Sequence, residues 1–421
     1  MTQVCFVVAQ DEFERHFLQQ PLDVLNAAAV LRQDGVEVSL WDRRLTERPA
    51  PADTPDLVVV VTAVADRAQC YPLDLSLVKE AVAAVRDRWP GVPVIACGPH
   101  ATHLPQACHR ELGVDHVARG ESDSAAVQAV RDVLHRRALT PVLPAAGTYP
   151  DLPVDQWPLP AYELTDPLAY TAEVVVDGRT RRAACGLVMG VRGCSYGCSF
   201  CHLPFGGRMR PRPVEQTLAE TAALQARGTE SVFFLDYVFG LHRTFYDELC
   251  DGLTGSGLEW TGQTRAEVVL RTDVRRWAEA GCRGMWLGAE SPGVADTGVG
   301  KRVPPEKVAE AVQKLADAGI KPFAFILLGL PDDPACAGGE LVDWAASLPV
   351  DFGLNQLVLR PGTALYDELA PRYNDGRTPA SWAEVAEVTR RYREAYPTDL
   401  DAQWDRLTAL PNYLGNAMAA A

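Results

Sequence analysis

Apolar residues up to position 138 alternate between solid short runs and helically spaced ones. "VCFVVA", "VEVSLWD", "DLVVVV", "VPVIACG" and "VDHVARG" have strand length. Between them, "LDVLNAAAVLRQDG", "LSLVKEAVAAVRDRWPG" and "SAAVQAVRDVLHRR" repeat apolar positions at the spacing of one helix face. The first of these helices stops at Gly35, a residue that tolerates the left-handed conformation of a helix end. Strands alternating with helices predict an α/β, doubly wound, Rossmann-like domain over 1–138, its parallel sheet covered on both faces. Ligands of such sheets gather at the carboxyl ends of the strands, which singles out the loops "CGPHAT" and "RGESD".

The periodicity fades over 139–180. Six prolines fall within "PVLPAAGTYPDLPVDQWPLP", and the stretch predicts an extended linker. A second series follows. "ACGLVMGVRG", "SVFFLD", "EWTGQTR", "GMWLGAES", "KPFAFILLGLP" and "DFGLNQLVL" are its strand candidates, with helical patterns between most of them. Six such units predict a partial (β/α)6 TIM-like barrel over 181–365, too short for eight units, then a short helical tail over 366–421. Reactive groups of these barrels sit where strands end. "RGCSYGCSFCHLPFG" follows the first strand, so Cys194, Cys198 and Cys201 fall at that position.

Composition narrows the function. A net charge of −15 and the absence of a basic stripe exclude a nucleic-acid partner and leave a small-molecule substrate. No stretch approaches the roughly 18–20 apolar residues of a membrane span. The opening "MTQVCFVVAQDEFERH" lacks a basic n-region, and Asp11 and Glu12 break its apolar run, so the expected location is cytoplasmic. Eight of the eleven cysteines are scattered and read as small buried hydrophobes of a reducing compartment.

The remaining three stand within eight residues. Chance would produce such spacing in roughly one comparable chain per hundred. A structural zinc site wants four ligands, usually from two distant pairs, and His202, adjoining Cys201, would be strained as the fourth. A disulfide conflicts with the compartment. A cubane iron–sulfur cluster normally takes four thiolates; three alone leave one iron open.

The C-x3-C-x2-C loop after the first strand of a partial barrel resembles the radical S-adenosylmethionine (SAM) enzymes. The resemblance implies a [4Fe-4S] cluster on Cys194, Cys198 and Cys201, with SAM chelated to the open iron. It implies that Phe200 packs on the adenine, and that Asp236, Arg265 and Glu290 position SAM from strand ends. A second acidic residue often follows Asp236 in the family; Tyr237 stands here. Arg265 and Glu290 have an alternative reading, as partners of each other. "FILLGLPDD" and "LVLRPGTALY" match the last two strands.

The first domain is similar to the cobalamin (B12)-binding domain of one branch of that family, so the resemblance covers roughly residues 3 to 370. It implies Gly98, His100, Gly120 and Glu121 as residues of a cobalamin site. Two departures stand out: Cys97-Gly98 replaces a frequent Gly-Gly pair, and "GESD" replaces Gly-Glu-Gly-Glu. His100 and His103 read as loop histidines shaping the turn, because the branch generally lacks a protein histidine on cobalt; His202 reads as loop packing. The implied activity is cobalamin-dependent C-methylation of a small natural product. The alternative is cobalamin-free radical chemistry, such as deoxygenation of an aminosugar diol, oxidation or rearrangement. A one-electron donor such as flavodoxin or ferredoxin is the implied partner. A non-catalytic cluster or zinc sensor is the competing class.

Overall fold

The computed structural model describes residues 2–10, 17–46, 48–135 and 140–415. The expected boundary near 138 and the acidic break at Asp11 and Glu12 lie outside them.

The first sheet contains β1 (Gln3–Val8), β2 (Glu37–Asp42), β3 (Leu57–Val61), β4 (Val94–Cys97), β5 (His116–Ala118) and β6 (Val142–Leu143). Their order is β2-β1-β3-β4-β5-β6, and every pairing is parallel. Strands β1, β3 and β4 are buried along nearly their whole length, as a sheet covered on both faces requires. The reversal of strand order beside β1 opens a crevice at the carboxyl ends, facing the second domain.

The second sheet runs β15-β14-β13-β12-β11-β8-β7. Six strands are parallel: β8 (Arg179–Val188), β11 (Ser231–Phe234), β12 (Glu259–Thr264), β13 (Cys282–Glu290), β14 (Lys321–Leu328) and β15 (Phe352–Gln356). The partial six-stranded barrel and the doubly wound domain are therefore both present.

Two local readings change. The stretch 139–180 supplies β6 to the first sheet and β7 (Thr171–Val176), which pairs antiparallel with β8, to the second. Asp177 and Gly178, at φ 52° and 72°, turn the chain between β7 and β8. An Asp-Gly pair is a hairpin signal because it accepts left-handed backbone twice in succession, and the surrounding prolines mask it. "ACGLVMGVRG" is also not one strand. It breaks after Val188, and Val191–Arg192 (β9) pairs instead with Arg210–Pro211 (β10), closing the cysteine loop at its base.

The C-terminal tail is not a separate appendage. Trp382, Val385 and Tyr392 share one apolar cluster with Tyr71, Trp89 and Ala101 of the first domain and with Leu357 and Leu359 after β15. Arg110 Nη2 donates to Ala380 O at 2.9 Å and Trp382 N to Glu111 Oε1 at 3.0 Å. Burying a side chain of that size is worth roughly 1.5–3 kcal/mol, enough for a few such residues to hold the layers together.

Candidate active site

The loop after β8 is anchored before it reaches the first cysteine. Asp236, at the end of β11, accepts from the backbone N–H of Gly190 (2.7 Å) and Val191 (2.9 Å) through Oδ1, and from the Tyr246 hydroxyl (3.0 Å) through Oδ2. Burial pushes its carboxyl up to about 7. Asp236 thus serves the backbone that leads into the loop and does not line the cavity around the thiols.

That cavity, about 200 Å3, brings Cys194, Cys198 and Cys201 together with Tyr196, Arg265, Glu290 and Lys301. Arg265 Nη1 donates to Cys198 Sγ at 3.2 Å. Its Nη2 donates to Glu267 Oε1 at 2.7 Å, and its guanidinium lies 3.9 Å from the Tyr196 ring centre. The Cys201 thiol donates to Cys198; with Arg265 and Lys301 it lowers the Cys198 thiol to about 6 against the effect of burial. Cys201, giving that hydrogen bond, is pushed up, and Cys194 is raised by burial. The shared hydrogen bond and the two nearby cations thus favour ionisation of one thiol of the Cys198–Cys201 pair, as suits a metal ligand. Among the described residues no three His, Cys, Asp or Glu side chains converge on one point that could hold a single ion. Three thiols lining one cavity are the donor set of a cluster in which each sulfur would take a different iron.

Glu290 pairs with Lys301 and not with Arg265. Lys301 Nζ donates to Glu290 Oε1 at 2.6 Å and to Gly288 O at 2.8 Å. The register between β13 and β14 slips between Gly288 and Glu290, and Glu290 stands at φ 60°, an unusual conformation for a residue other than glycine. Gly288 is needed beside it: a Cβ there would come within 2.6 Å of Glu290 Oε1 and 2.7 Å of Lys301 Nζ. Sequence reasoning missed Lys301 and Tyr196. The signal for Lys301 was a lone lysine after a glycine in "GVGKRV", which periodicity cannot weigh.

Phe200 does not reach the cavity. Half-buried, it packs against the cluster holding Leu359, Leu365 and Trp382. A larger cavity of about 490 Å3 opens on the other side of Ser199, among Asp332, Glu368, Arg372 and the tail tyrosines, and none of the thiols lines it.

The first-domain residues divide. Gly120 and Glu121 line a cavity of about 270 Å3 that also touches Thr102, His103 and the His202–Gly206 stretch of the cysteine loop. Gly98 stands at φ 114°, where a Cβ would lie 2.6 Å from Thr62 Oγ1, a buried atom with no hydrogen-bond partner among the described residues. Thr62 lines a further cavity of about 110 Å3 at the ends of β1 and β3. An orphaned hydroxyl beside bare glycine backbone fits the slender tail of a cobalamin.

His100 has no part in that cradle. Fully buried, its Nε2 hydrogen-bonds Pro72 O at 2.7 Å, and its ring lies against Tyr71 and Trp382. His103 and His202 meet Nε2 to Nε2 at 2.7 Å, while His202 Nδ1 donates to Ala68 O at 2.7 Å. Burial lowers His100 and His103 to about 4 and His202 to about 3. An unfolded chain takes up these protons near 6.5, so folding stability is complete above that pH and is lost as pH falls toward 4. His100 alone accounts for about 3 kcal/mol of that loss. His100→Gln, which can still donate to Pro72 O, is expected to flatten the fall in urea midpoint between pH 6.5 and pH 4; an unchanged profile would assign the acid sensitivity elsewhere.

Glu121 is committed to the cysteine loop. Arg192, two residues before Cys194 and buried, donates to Glu121 Oε2 at 2.9 Å and to both oxygens of Asp123. Arg210 holds the other Glu121 oxygen, and Trp157 and Phe205 lie 4.9 and 5.0 Å from the Arg192 guanidinium. The "GESD" loop is therefore a clamp between the two domains as well as a cavity wall.

Residues 188–345 match the family described as the radical SAM superfamily. This part of the chain is a radical SAM domain. An uncharacterised methyltransferase of Pyrococcus horikoshii, PH0819, is 27% identical over 65% of this chain and 62% of its own length. The hopanoid C-2 methylase of Rhodopseudomonas palustris is 24% identical over 66% of this chain and 52% of its own. The chain thus spans less than two thirds of these relatives. The fold of the radical SAM methyltransferase TsrM from Kitasatospora setae, solved with cobalamin and a [4Fe-4S] cluster bound, superposes with a TM-score of 0.67 at 19% identity, covering 93% of this chain and 85% of that one. The radical SAM domain and the doubly wound domain before it therefore follow one known two-domain architecture.

Proposed function

We propose that this protein is a cobalamin-dependent radical SAM methyltransferase acting on a carbon of a small molecule. The observation that carries the reading is the cavity shared by Cys194, Cys198, Cys201, Arg265 and the Glu290–Lys301 pair, with Gln69 of the first domain at its wall. When bound, the cluster and SAM supply one-electron cleavage of a sulfonium carbon–sulfur bond, and cobalamin supplies a transferable methyl group. The methyltransferase relatives and the TsrM fold support the choice of methylation.

The chain's own residues do the holding and orienting. Cys194, Cys198 and Cys201 would hold three irons of the cluster. Arg265, fixed by Glu267 and Tyr196, presents its charge beside the Cys198 sulfur. The Glu290–Lys301 pair offers one anionic and one cationic group, complementary to the ammonium and carboxylate of a methionine moiety. Thr62, Gly98 and Gly120 would receive the cobalamin. The electron donor in this reading is a small flavodoxin or ferredoxin, and the cytoplasm, which keeps eleven thiols reduced, is the compartment. No helix among the described residues is long and apolar enough to cross a membrane.

The deciding experiment is anaerobic reconstitution with iron, sulfide and hydroxocobalamin, followed by dithionite reduction with SAM and candidate metabolites. Formation of 5′-deoxyadenosine together with a methylated product is expected. Retention of zinc in place of iron, or loss of water from the product with no methyl gain, would overturn the reading. Gly288→Ala, which displaces the Glu290–Lys301 pair, is expected to weaken SAM binding about ten-fold in equilibrium dialysis of the reconstituted protein. An unaltered affinity would remove that pair from SAM recognition.

A further inference from the structure

The cavity of about 490 Å3 behind Ser199 has no part in the site described so far. Its inner wall is the cysteine loop itself. Ser199 N donates to Val299 O at 2.9 Å, Leu365 N donates to Ser199 O at 2.9 Å, and all three residues line the cavity. The outer wall comes from the tail. Tyr373 and Tyr392 stand 5.5 Å apart at 87°, and Tyr392 and Tyr396 stand 6.0 Å apart at 70°. The Tyr392 and Tyr396 hydroxyls are already engaged, donating to Gly329 O at 2.7 Å and to Leu330 O at 2.6 Å. What these two side chains can offer a ligand is ring surface.

Three exposed charges of both signs line the same cavity: Asp332, Glu368 and Arg372. None has a side-chain hydrogen bond or ion pair among the described residues. By contrast, Arg390, Arg391 and Arg393 on the next helix each have a carboxylate partner. Glu368 and Arg372 have the spacing and order of a helical ion pair. The helix Ala364–Leu369, however, passes into a tighter turn over Ala370–Tyr373, and the pair does not close. Asp333 is not available to a ligand in the same way: it is buried, and its Oδ1 accepts from Ala335 N at 3.0 Å. Ring and aliphatic walls with a few unengaged charged groups are the ordinary make-up of a small-molecule site.

We propose that this cavity is a second binding site, separate from the reaction space, for a zwitterionic α-amino acid with an apolar side chain. Arg372 takes the carboxylate, which a guanidinium can hold with two parallel donors. Asp332 and Glu368 take the ammonium, and the tyrosine rings cover the side chain. A ligand with a single charge leaves one side of the cavity unanswered. The bound amino acid touches the cysteine loop at Ser199, on a wall that none of the thiols reaches.

Three probes sharing a phenyl ring test this: phenylalanine with both charges, phenethylamine with the ammonium alone and hydrocinnamate with the carboxylate alone. Their binding to the reconstituted holoenzyme, saturated with SAM, is read by isothermal titration calorimetry. Phenylalanine is expected to bind about ten-fold more tightly than either singly charged probe. Arg372→Gln is expected to reduce it to the level of phenethylamine, and Asp332→Asn combined with Glu368→Gln to the level of hydrocinnamate. Cys198→Ala is expected to bind phenylalanine as the wild type does, because no thiol lines this cavity. Absent binding, equal binding of the three probes, a preference that survives either set of charge substitutions, or loss of binding in Cys198→Ala would each overturn the proposal. The readout is binding alone, so its failure leaves the methyltransferase reading standing, and failure of SAM cleavage leaves this site standing.

Discussion

The Cys198→Ala protein, reconstituted with iron and sulfide under nitrogen, is expected to form no 5′-deoxyadenosine when reduced with SAM. Cys198 is the thiol whose charge is prepared in advance: Cys201 donates to it, Arg265 lies at 3.2 Å, and its ionisation is lowered to about 6. Removing it takes away one of the three sulfurs that would hold the cluster and leaves Arg265 facing a methyl group. The loop should survive, because its base is held by the β9–β10 pairing and by Asp236, neither of which involves Cys198. Far-ultraviolet circular dichroism should therefore match the wild type, while the broad visible absorption of the cluster and all SAM cleavage disappear. Any deoxyadenosine made by this variant at more than about a hundredth of the wild-type rate would refute Cys198 as a ligand.

The second large effect is expected at Arg192→Leu, as a loss of folding stability of about 3–5 kcal/mol in urea unfolding. Glu121 and Asp123 are nearly sealed from water, at 6% and 1% exposure, and face this guanidinium across the domain boundary. Without it Glu121 retains Arg210, but Asp123 keeps only neutral donors, the Asn26 amide at 3.4 Å and the backbone N–H and hydroxyl of Ser124. Breaking one side of a buried pair leaves an uncompensated charge, which costs more than the pair contributes. The double variant Arg192→Leu with Asp123→Leu is accordingly expected to recover part of the loss. A single-variant change below about 1 kcal/mol would show that the clamp is wet and loosely coupled.

Much of the site was open to reading from local spacing. The three cysteines, Arg265 and Glu290 meet in one cavity because each follows a parallel strand, and parallel strands deliver their ends to one rim. Asp236 and Phe200 occupy comparable positions and go elsewhere. Asp236 is drawn to two backbone N–H groups exposed by the break after Val188, and Phe200 to an apolar cluster contributed by the tail and the first domain. Neither competitor is near in sequence. His100 likewise stands one residue after the Pro99 that follows Gly98, yet is turned inward by Pro72 and Trp382. Arg192 and Gln69 gave no periodic or spacing signal, since the carboxylate partners of Arg192 lie 69 and 71 residues away and Gln69 meets the cavity across the domain boundary.

The sequence alone determined the two α/β layers, the six parallel strands of the barrel and the trio of thiols at its rim, because these follow from near-neighbour periodicity and from residues a few positions apart. Only the tertiary structure decided which polar residues face the cavity, that Glu290 pairs with Lys301, that the "GESD" loop clamps Arg192, and that Gln69 reaches the reaction space. Those outcomes are set by competition among distant groups for a few buried hydrogen bonds and charges, a contest resolved only when the layers close.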